Sequence, residues 1–174
     1  MHNRYDKLFP ATLALSLGLA LLGLLLDDPR NILPGLGRII LMQDLLITDY
    51  VYIAGPGAAM VNAAIVTAIT AFLNKGTHNH FNVFSKVEVG LMAGFSLFGK
   101  NFVNIWPIIF GTWLYARYQK EPFSKHVSVA LLATSLAPLV SYMGLGSIHG
   151  SIPLGIFSGV AVGFLLPALG AYTY

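Results

Sequence analysis

Lys100, Asn101 and Asn104 stand together in the stretch FGKNFVNIWPIIFG, residues 98–111, followed at once by Trp106 and Pro107. An ammonium and two carboxamides can replace water around a small polar solute or ion. They supply donors, acceptors and one fixed charge. The residues on either side are apolar. A lysine near the middle of a bilayer costs about 2.5–3.5 kcal/mol on insertion scales unless it snorkels or pairs. A second stretch, IAGPGAAMVNAA at residues 53–64, carries Asn62 just past a Gly-Pro-Gly break, with Asp49 and Tyr50 shortly before it. Asp49 is a carboxylate able to ligate a cation or proton, or to pair with Lys100; its plainer role is that of an interfacial residue or helix cap. Lys100, Asn101, Asn104, Trp106, Asn62, Asp49 and Tyr50 are therefore the candidate lining of a solute path. The competing explanation is that Lys100 snorkels and the two asparagines only satisfy a turn.

These residues need elements to hold them, and composition limits which. The chain has 174 residues, 56% hydrophobic and 10% charged, with a mean hydropathy of +0.71. Soluble domains carry about 25% charge, so this chain cannot cover a water-facing surface and is an integral membrane protein. Long runs of Leu, Ala, Gly, Ile and Val without strand-like alternation favour helices over a barrel. The fold expected is all-α: a polytopic helical membrane protein with about four full transmembrane helices plus a re-entrant half-helix pair. Residues 1–174 form a single membrane domain. There is no cysteine, so thiol chemistry is silent. The net charge of +3 reports topology and not nucleic acid. No nucleophile elbow, phosphate loop or zinc-type HExxH occurs, and neither catalytic residues nor a cofactor is expected. His78 and His80 in THNH lack a carboxylate or cysteine companion and read as a solvated loop, not a metal site; His149 also reads as a loop residue. An intramembrane enzyme would have to draw its acid–base groups from Asp49, Lys100 or His149.

Leu8–Leu26 is long enough to cross a core of about 30 Å. It is too long for the apolar core of a cleaved signal peptide, about 7–15 residues, and Asp27-Asp28-Pro29 follows it instead of small residues. DDPRNILPG reads as a polar connection, and Gly35–Ile47 as a short interfacial or re-entrant piece. Residues 48–54 read as extended, 55–57 as a break, and Gly57–Leu73 as a helix. A hydrophilic loop follows over residues 74–86. Val87–Gly99 and Ile105–Ala116 are each too short to span at 1.5 Å per residue, and the polar stretch is the joint between them. Asn104 is placed to cap the second piece, and Pro107 falls in its first turn, where a missing donor does no harm. Val127–Gly146, kinked at Pro138, and Ile152–Tyr174 complete the spans. Gly155, Gly159 and Gly163 form a small-residue face for close helix packing within the chain, or between copies. Gly90 and Gly94 repeat the signal weakly.

If residues 87–116 return to the side they entered from, Arg4, Lys7, Lys75, Lys86, Arg117, Lys120 and Lys125 share one side, against Arg30 and Arg38 on the other. That bias follows the positive-inside rule and puts the N-terminus in the cytoplasm. Two broken elements in one small membrane domain is the pattern of a transport site. The function expected is a channel or secondary transporter for a small polar solute or ion. A structural or assembly subunit using the glycine face is the alternative.

ITDYVYIAGPGAAMVNAAIVT and GLMAGFSLFGKNFVNIWPIIFGTWLYARYQKEPFSKHVSVALLATSLAPLVS resemble the bacterial membrane family labelled domain of unknown function 1576. The likeness covers roughly residues 47–174, and GKN–NIWP is its most specific part. It implies a multi-pass protein of the bacterial inner membrane, from a family whose members carry two copies of the domain at about twice this length. The present chain stops where the second half would begin, either as a single-repeat protein or as a fragment, so a second repeat or a homo-oligomer is the expected partner besides the lipid bilayer. The breaks are also similar in kind to those of urea-channel-like proteins, a likeness of fold only.

Overall fold

The computed structural model describes residues 7–45, 47–77, 83–146 and 150–171. Arg4, His78, His80 and His149 lie outside them. Among the described residues the chain is helical and has no strand. The α-helices are α1 (Leu8–Leu26), α2 (Pro29–Leu41), α3 (Tyr50–Ala54), α4 (Pro56–Gly76), α5 (Val83–Phe95), α6 (Trp106–Tyr118), α7 (Val127–Ala133), α8 (Ala137–Leu145) and α9 (Ile152–Ala171). A 3-10 turn, Thr134–Leu136, joins α7 to α8 just ahead of Pro138. Taking α7 and α8 as one unit, four helices among the described residues are long and apolar enough to cross a membrane: Leu8–Leu26, Pro56–Gly76, Val127–Leu145 and Ile152–Gly170. At 1.5 Å per residue each is about 30 Å long, the thickness of the hydrocarbon core. Leu17, Leu21 and Leu25 on α1 and Phe157, Leu165 and Leu169 on α9 are exposed, as a lipid-facing surface requires.

α1 and α4 run antiparallel. The Ser16 hydroxyl donates to the Ala64 carbonyl at 2.8 Å, and Phe9 packs edge-on to Phe72. The Lys75 ammonium lies 4.1 Å over the Phe9 ring, so Lys7 and Lys75 share one end and Asp27 and Gly55 the other. α5 returns along α4: Glu88 meets Asn74 near the lysine-bearing end, and Asn62 meets Ser96 further in. α7 runs beside both short helices. Its Ser128 lies beside Glu88 of α5, and His126, just before it, packs edge-on to Tyr115 of α6. The first turns of α5 and the last turns of α6 therefore lie at one end of α7. Both 13-residue helices point inward from that end and meet at residues 96–105, where Ile105, Ile108 and Ile109 pack on Ala133, Ala137 and Val140.

Several boundaries differ from expectation. α2 starts at Pro29 and not at Gly35: Asp28 caps it through the Arg30 N–H, and Pro29 opens the first turn. Pro34 then costs only one intrahelical bond near the start. Gly35 lets α2 close on Ala54 and Ala58 across the end of α4. Residues 50–54 are a short helix and not extended, because the Asp49 carboxylate accepts from the Val51 and Tyr52 N–H groups. Gly55 ends it with φ 91°, a conformation that favours glycine, and Asp27 occupies the space a side chain there would need. α4 begins immediately at Pro56. The loop expected over residues 74–86 is shorter, since α4 runs to Gly76 and α5 starts at Val83; Ser85 is buried within α5.

Candidate functional site

The joint between α5 and α6 is held from inside by its two asparagines. α5 stops at Phe95, and the Leu97, Phe98 and Lys100 N–H groups turn back onto Gly94 and Phe95 carbonyls. Gly99 adopts φ 82° against Pro138. The Asn101 side-chain oxygen then accepts from the Val103 and Asn104 N–H groups, both at 2.9 Å. The Asn104 oxygen accepts from the Asn101 N–H at 2.9 Å. Asn104 thus does not cap α6, whose N-cap is Ile105 without a side-chain bond. The two amides cap the turn between them, and Pro107 occupies the first turn of α6.

Asn62 fixes this joint to α4. Its amide donates to the Ser96 and Lys100 carbonyls at 2.7 and 2.9 Å, and its oxygen accepts from the Phe102 N–H at 3.2 Å. The segment before α3 binds the other side. The Tyr50 N–H donates to the Leu97 carbonyl, and Asp49 pairs with Phe98 in an isolated bridge. The buried Tyr50 hydroxyl donates to Asp44 Oδ2 at 2.9 Å and receives the Asn101 amide at 3.3 Å. The Asn104 amide reaches the Gly99 carbonyl (3.0 Å), Ser141 Oγ on α8 (2.9 Å) and, at 3.4 Å, Asp44 Oδ2. The two chain breaks therefore converge, and Asp44, Tyr50, Asn62, Asn101, Asn104 and Ser141 make one buried polar cluster.

Hydrogen-bond capacity separates these residues. Both Asn62 hydrogens and its oxygen are used. Asn101 and Asn104 are likewise occupied by the turn and by Tyr50, Gly99 and Ser141. Two groups keep unspent capacity. Asp44 Oδ1 is buried without a hydrogen-bond partner. Lys100 is 1% exposed; its ammonium meets the Met92 sulfur at 3.2 Å and the Phe95 ring at 5.5 Å. Among the described residues the ion pairs are those of Glu121 with Lys125 and His126, so the Lys100 ammonium has no carboxylate within contact. Two cavities border the cluster. One of about 430 Å³ is lined by Asn101, Asn104, Trp106, Ser141 and Gly155, among others. Another of about 350 Å³ is lined by Asp44, Pro138 and Tyr142.

Of the seven residues singled out from sequence, Tyr50, Asn62, Lys100, Asn101 and Asn104 come together, and Trp106 lines the larger cavity half-exposed. Asp49 is exposed at the start of α3 and acts as its cap; the carboxylate in the cluster is Asp44. Asp44 was visible as a charge in a short apolar segment, but nothing in the local pattern ties that segment to residues 60 positions away. Ser141 carried no signal at all. Gly155, Gly159 and Gly163 pack within the chain. Gly155 meets Val140 and Gly144 of α8, Gly159 meets Pro107 and Val140, and Gly163 lies against the Ile108 backbone. Thr112 Oγ1 completes the contact by donating to the Gly163 carbonyl at 2.8 Å. Among the described residues no group of three or more metal-ligating side chains forms.

No curated protein matches the chain, and no solved structure does. A family model matches residues 28–174. That covers most of the chain, including both breaks and the whole polar cluster, and the protein belongs to the family described as Protein of unknown function (DUF1576).

Proposed function

We propose that this protein is a channel or secondary transporter for a small polar solute or ion, with its path at the junction of the two chain breaks. The observation that carries this reading is a fully buried polar cluster, built where helices are interrupted and bordered by cavities, that leaves Lys100 and Asp44 with unspent capacity. Irregular backbone at membrane depth is tolerated where protein buries it or where it lines a watery cavity. A purely structural joint has no need of an ammonium that meets only sulfur and an aromatic ring.

In this reading α5 and α6 are a re-entrant hairpin. Their shared end beside His126 and Ser128 supports it, because Lys7, Lys75, Lys86, Arg117, Lys120 and Lys125 then gather on one side, opposite Arg30 and Arg38. By the positive-inside rule that side is cytoplasmic, in a bacterial inner membrane. The single domain works as one repeat beside a second copy or second half, which would wall the cavity where Trp106 and Ile156 are exposed.

The test is stopped-flow swelling of vesicles containing the purified protein, against protein-free vesicles, with urea, glycerol, formate and potassium salts as probes. At least one probe enters faster than through lipid alone. Asp44→Asn, which alters the oxygen the joint leaves free, abolishes that excess while the protein still inserts in full amount. Equal rates for all probes, or normal flux in Asp44→Asn, would refute the reading.

A further inference from the structure

Three side chains of the Asp, Glu, Lys and Arg types are almost fully buried among the described residues: Asp44 at 0%, and Glu88 and Lys100 at 1% exposure each. None of them is in an ion pair. Two carboxylates and one ammonium leave the interior with one negative charge in excess, and uncompensated charge in a low-dielectric interior is strongly disfavoured. One cationic charge must accompany them. The two carboxylates differ in what they are offered. Asp44 accepts from the Tyr50 hydroxyl and the Asn104 amide, has Ser141 beside it and borders a cavity. The cavity, and not the number of donors, sets Asp44 apart, since its Oδ1 also lacks a hydrogen-bond partner. Glu88 lies in the packed seam of α4, α5 and α7. Oε1 accepts from the Asn74 amide at 2.6 Å, Ser128 lies beside the carboxyl, and Oε2 has no hydrogen-bond partner.

The groups around Glu88 make the assignment sharper. α4 and α7 present it with Asn74 and Ser128, both neutral. Lys75 turns away to the Phe9 ring of α1, Lys86 is exposed, and Lys125 and His126 are held by Glu121. Among the described residues the one cation inside the seam is Lys100, separated from Glu88 by Met92, one helical turn along α5. Glu88 is nevertheless only two residues beyond exposed Lys86, so water at the lysine-bearing end is near.

We propose that Glu88 is a proton-binding site of this membrane domain. Oε2 takes a proton from hydronium at that end, one O–H bond forms and water is left. The seam then holds a neutral Glu88, with the Asp44 carboxylate balanced by the Lys100 ammonium. Release reverses the step. The inference stands on burial and charge and is independent of the solute-path reading.

Infrared spectroscopy of the whole protein in vesicles of ether-linked phosphocholine and phosphoglycerol lipids, which have no ester carbonyl of their own, tests it. At neutral pH the carbonyl stretch of an undissociated carboxyl is present, is lost in Glu88→Gln and is retained in Asp44→Asn. Should Glu88→Gln lose its helical amide band, Glu88→Asp provides the second measurement: the carboxyl stretch shifts in frequency and does not vanish. A wild-type spectrum without the band, a band retained in folded Glu88→Gln, a band lost in Asp44→Asn, or an unshifted band in Glu88→Asp would each overturn the assignment. A protein that shows the band but passes no probe solute keeps this site and refutes the solute path. One that passes solute without the band does the reverse.

Discussion

Replacing Asn62 by leucine removes three hydrogen bonds while keeping the branching and the number of heavy atoms of the side chain. The Ser96 and Lys100 carbonyls lose a donor and the Phe102 N–H loses its acceptor, all at a joint that water does not reach freely. Side-chain hydrogen bonds between membrane helices average about 0.6 kcal/mol in double-mutant cycles, which sets a floor of about 2 kcal/mol for three. Leaving a buried backbone group without a partner costs about 1–3 kcal/mol, which raises the expectation to about 3–5 kcal/mol. The chain's two tryptophans, Trp106 and Trp113, both lie on α6, directly after the joint. Reversible unfolding in mixed detergent micelles, followed by their fluorescence, therefore reads the perturbed region itself. Tyr52→Leu is the control: Tyr52 is 89% exposed, and surface changes stay within about 0.5 kcal/mol. A loss under about 1 kcal/mol for Asn62→Leu would show that the Asn62 bonds do not hold the joint. Because Asn62 has no spare capacity, whatever flux the folded fraction retains should keep wild-type solute preference. A changed preference would make it a lining residue and refute its role as a clamp.

Gly163→Leu drives a side chain into the Ile108 carbonyl and should cost about 3 kcal/mol or more, seen as a lowered thermal midpoint in detergent; an unchanged midpoint would deny that α6 and α9 close backbone to backbone. Single cysteines at Lys86 and Arg117 should label from the same side of sealed vesicles, and opposite-side labelling would reject the re-entrant hairpin. Lys100→Met keeps an unbranched chain beside Met92 but removes the charge; it should lower the entry of formate relative to glycerol, and an unaltered ratio would take Lys100 out of the path.

The all-helical membrane class was legible because charge was too sparse to solvate the chain, and that signal is summed over many residues. The breaks were legible because Gly55-Pro56-Gly57 and Gly99-Lys100-Asn101 are poor helix interiors whatever surrounds them. Partners were harder. Asn104 was read as the cap of the nearest helix, the local choice. In the fold Asn101 is closer to the free N–H groups of the turn, and the Asn104 amide is drawn to Ser141 on α8 and Gly99. Asp49 stands out in the sequence because it adjoins the break. That adjacency is what commits it to capping α3, whereas Asp44 reaches the joint from an extended segment whose course is set by Tyr50 and Leu97. Glu88 gave no warning, since a glutamate at the edge of an apolar run ordinarily faces water. Its burial depends on where α4 and α7 lie.

Neither break is tenable alone in a bilayer, where every unsatisfied backbone group costs several kcal/mol. Each supplies what the other lacks. The Leu97 carbonyl, left over where α5 unravels, takes the Tyr50 N–H at the start of α3, and the hydroxyl of the same tyrosine joins Asp44 to Asn101. Asn62, from the continuous helix between the breaks in sequence, then takes up the carbonyls and N–H that remain. The carboxamides are thus consumed in making irregular backbone permissible. A solute competing for them would have to dismantle the joint. What it can engage without that cost is the pair of groups the joint does not need, the Asp44 Oδ1 and the Lys100 ammonium. They belong to different elements, and in the proposed path they are the groups that the joint leaves for a solute.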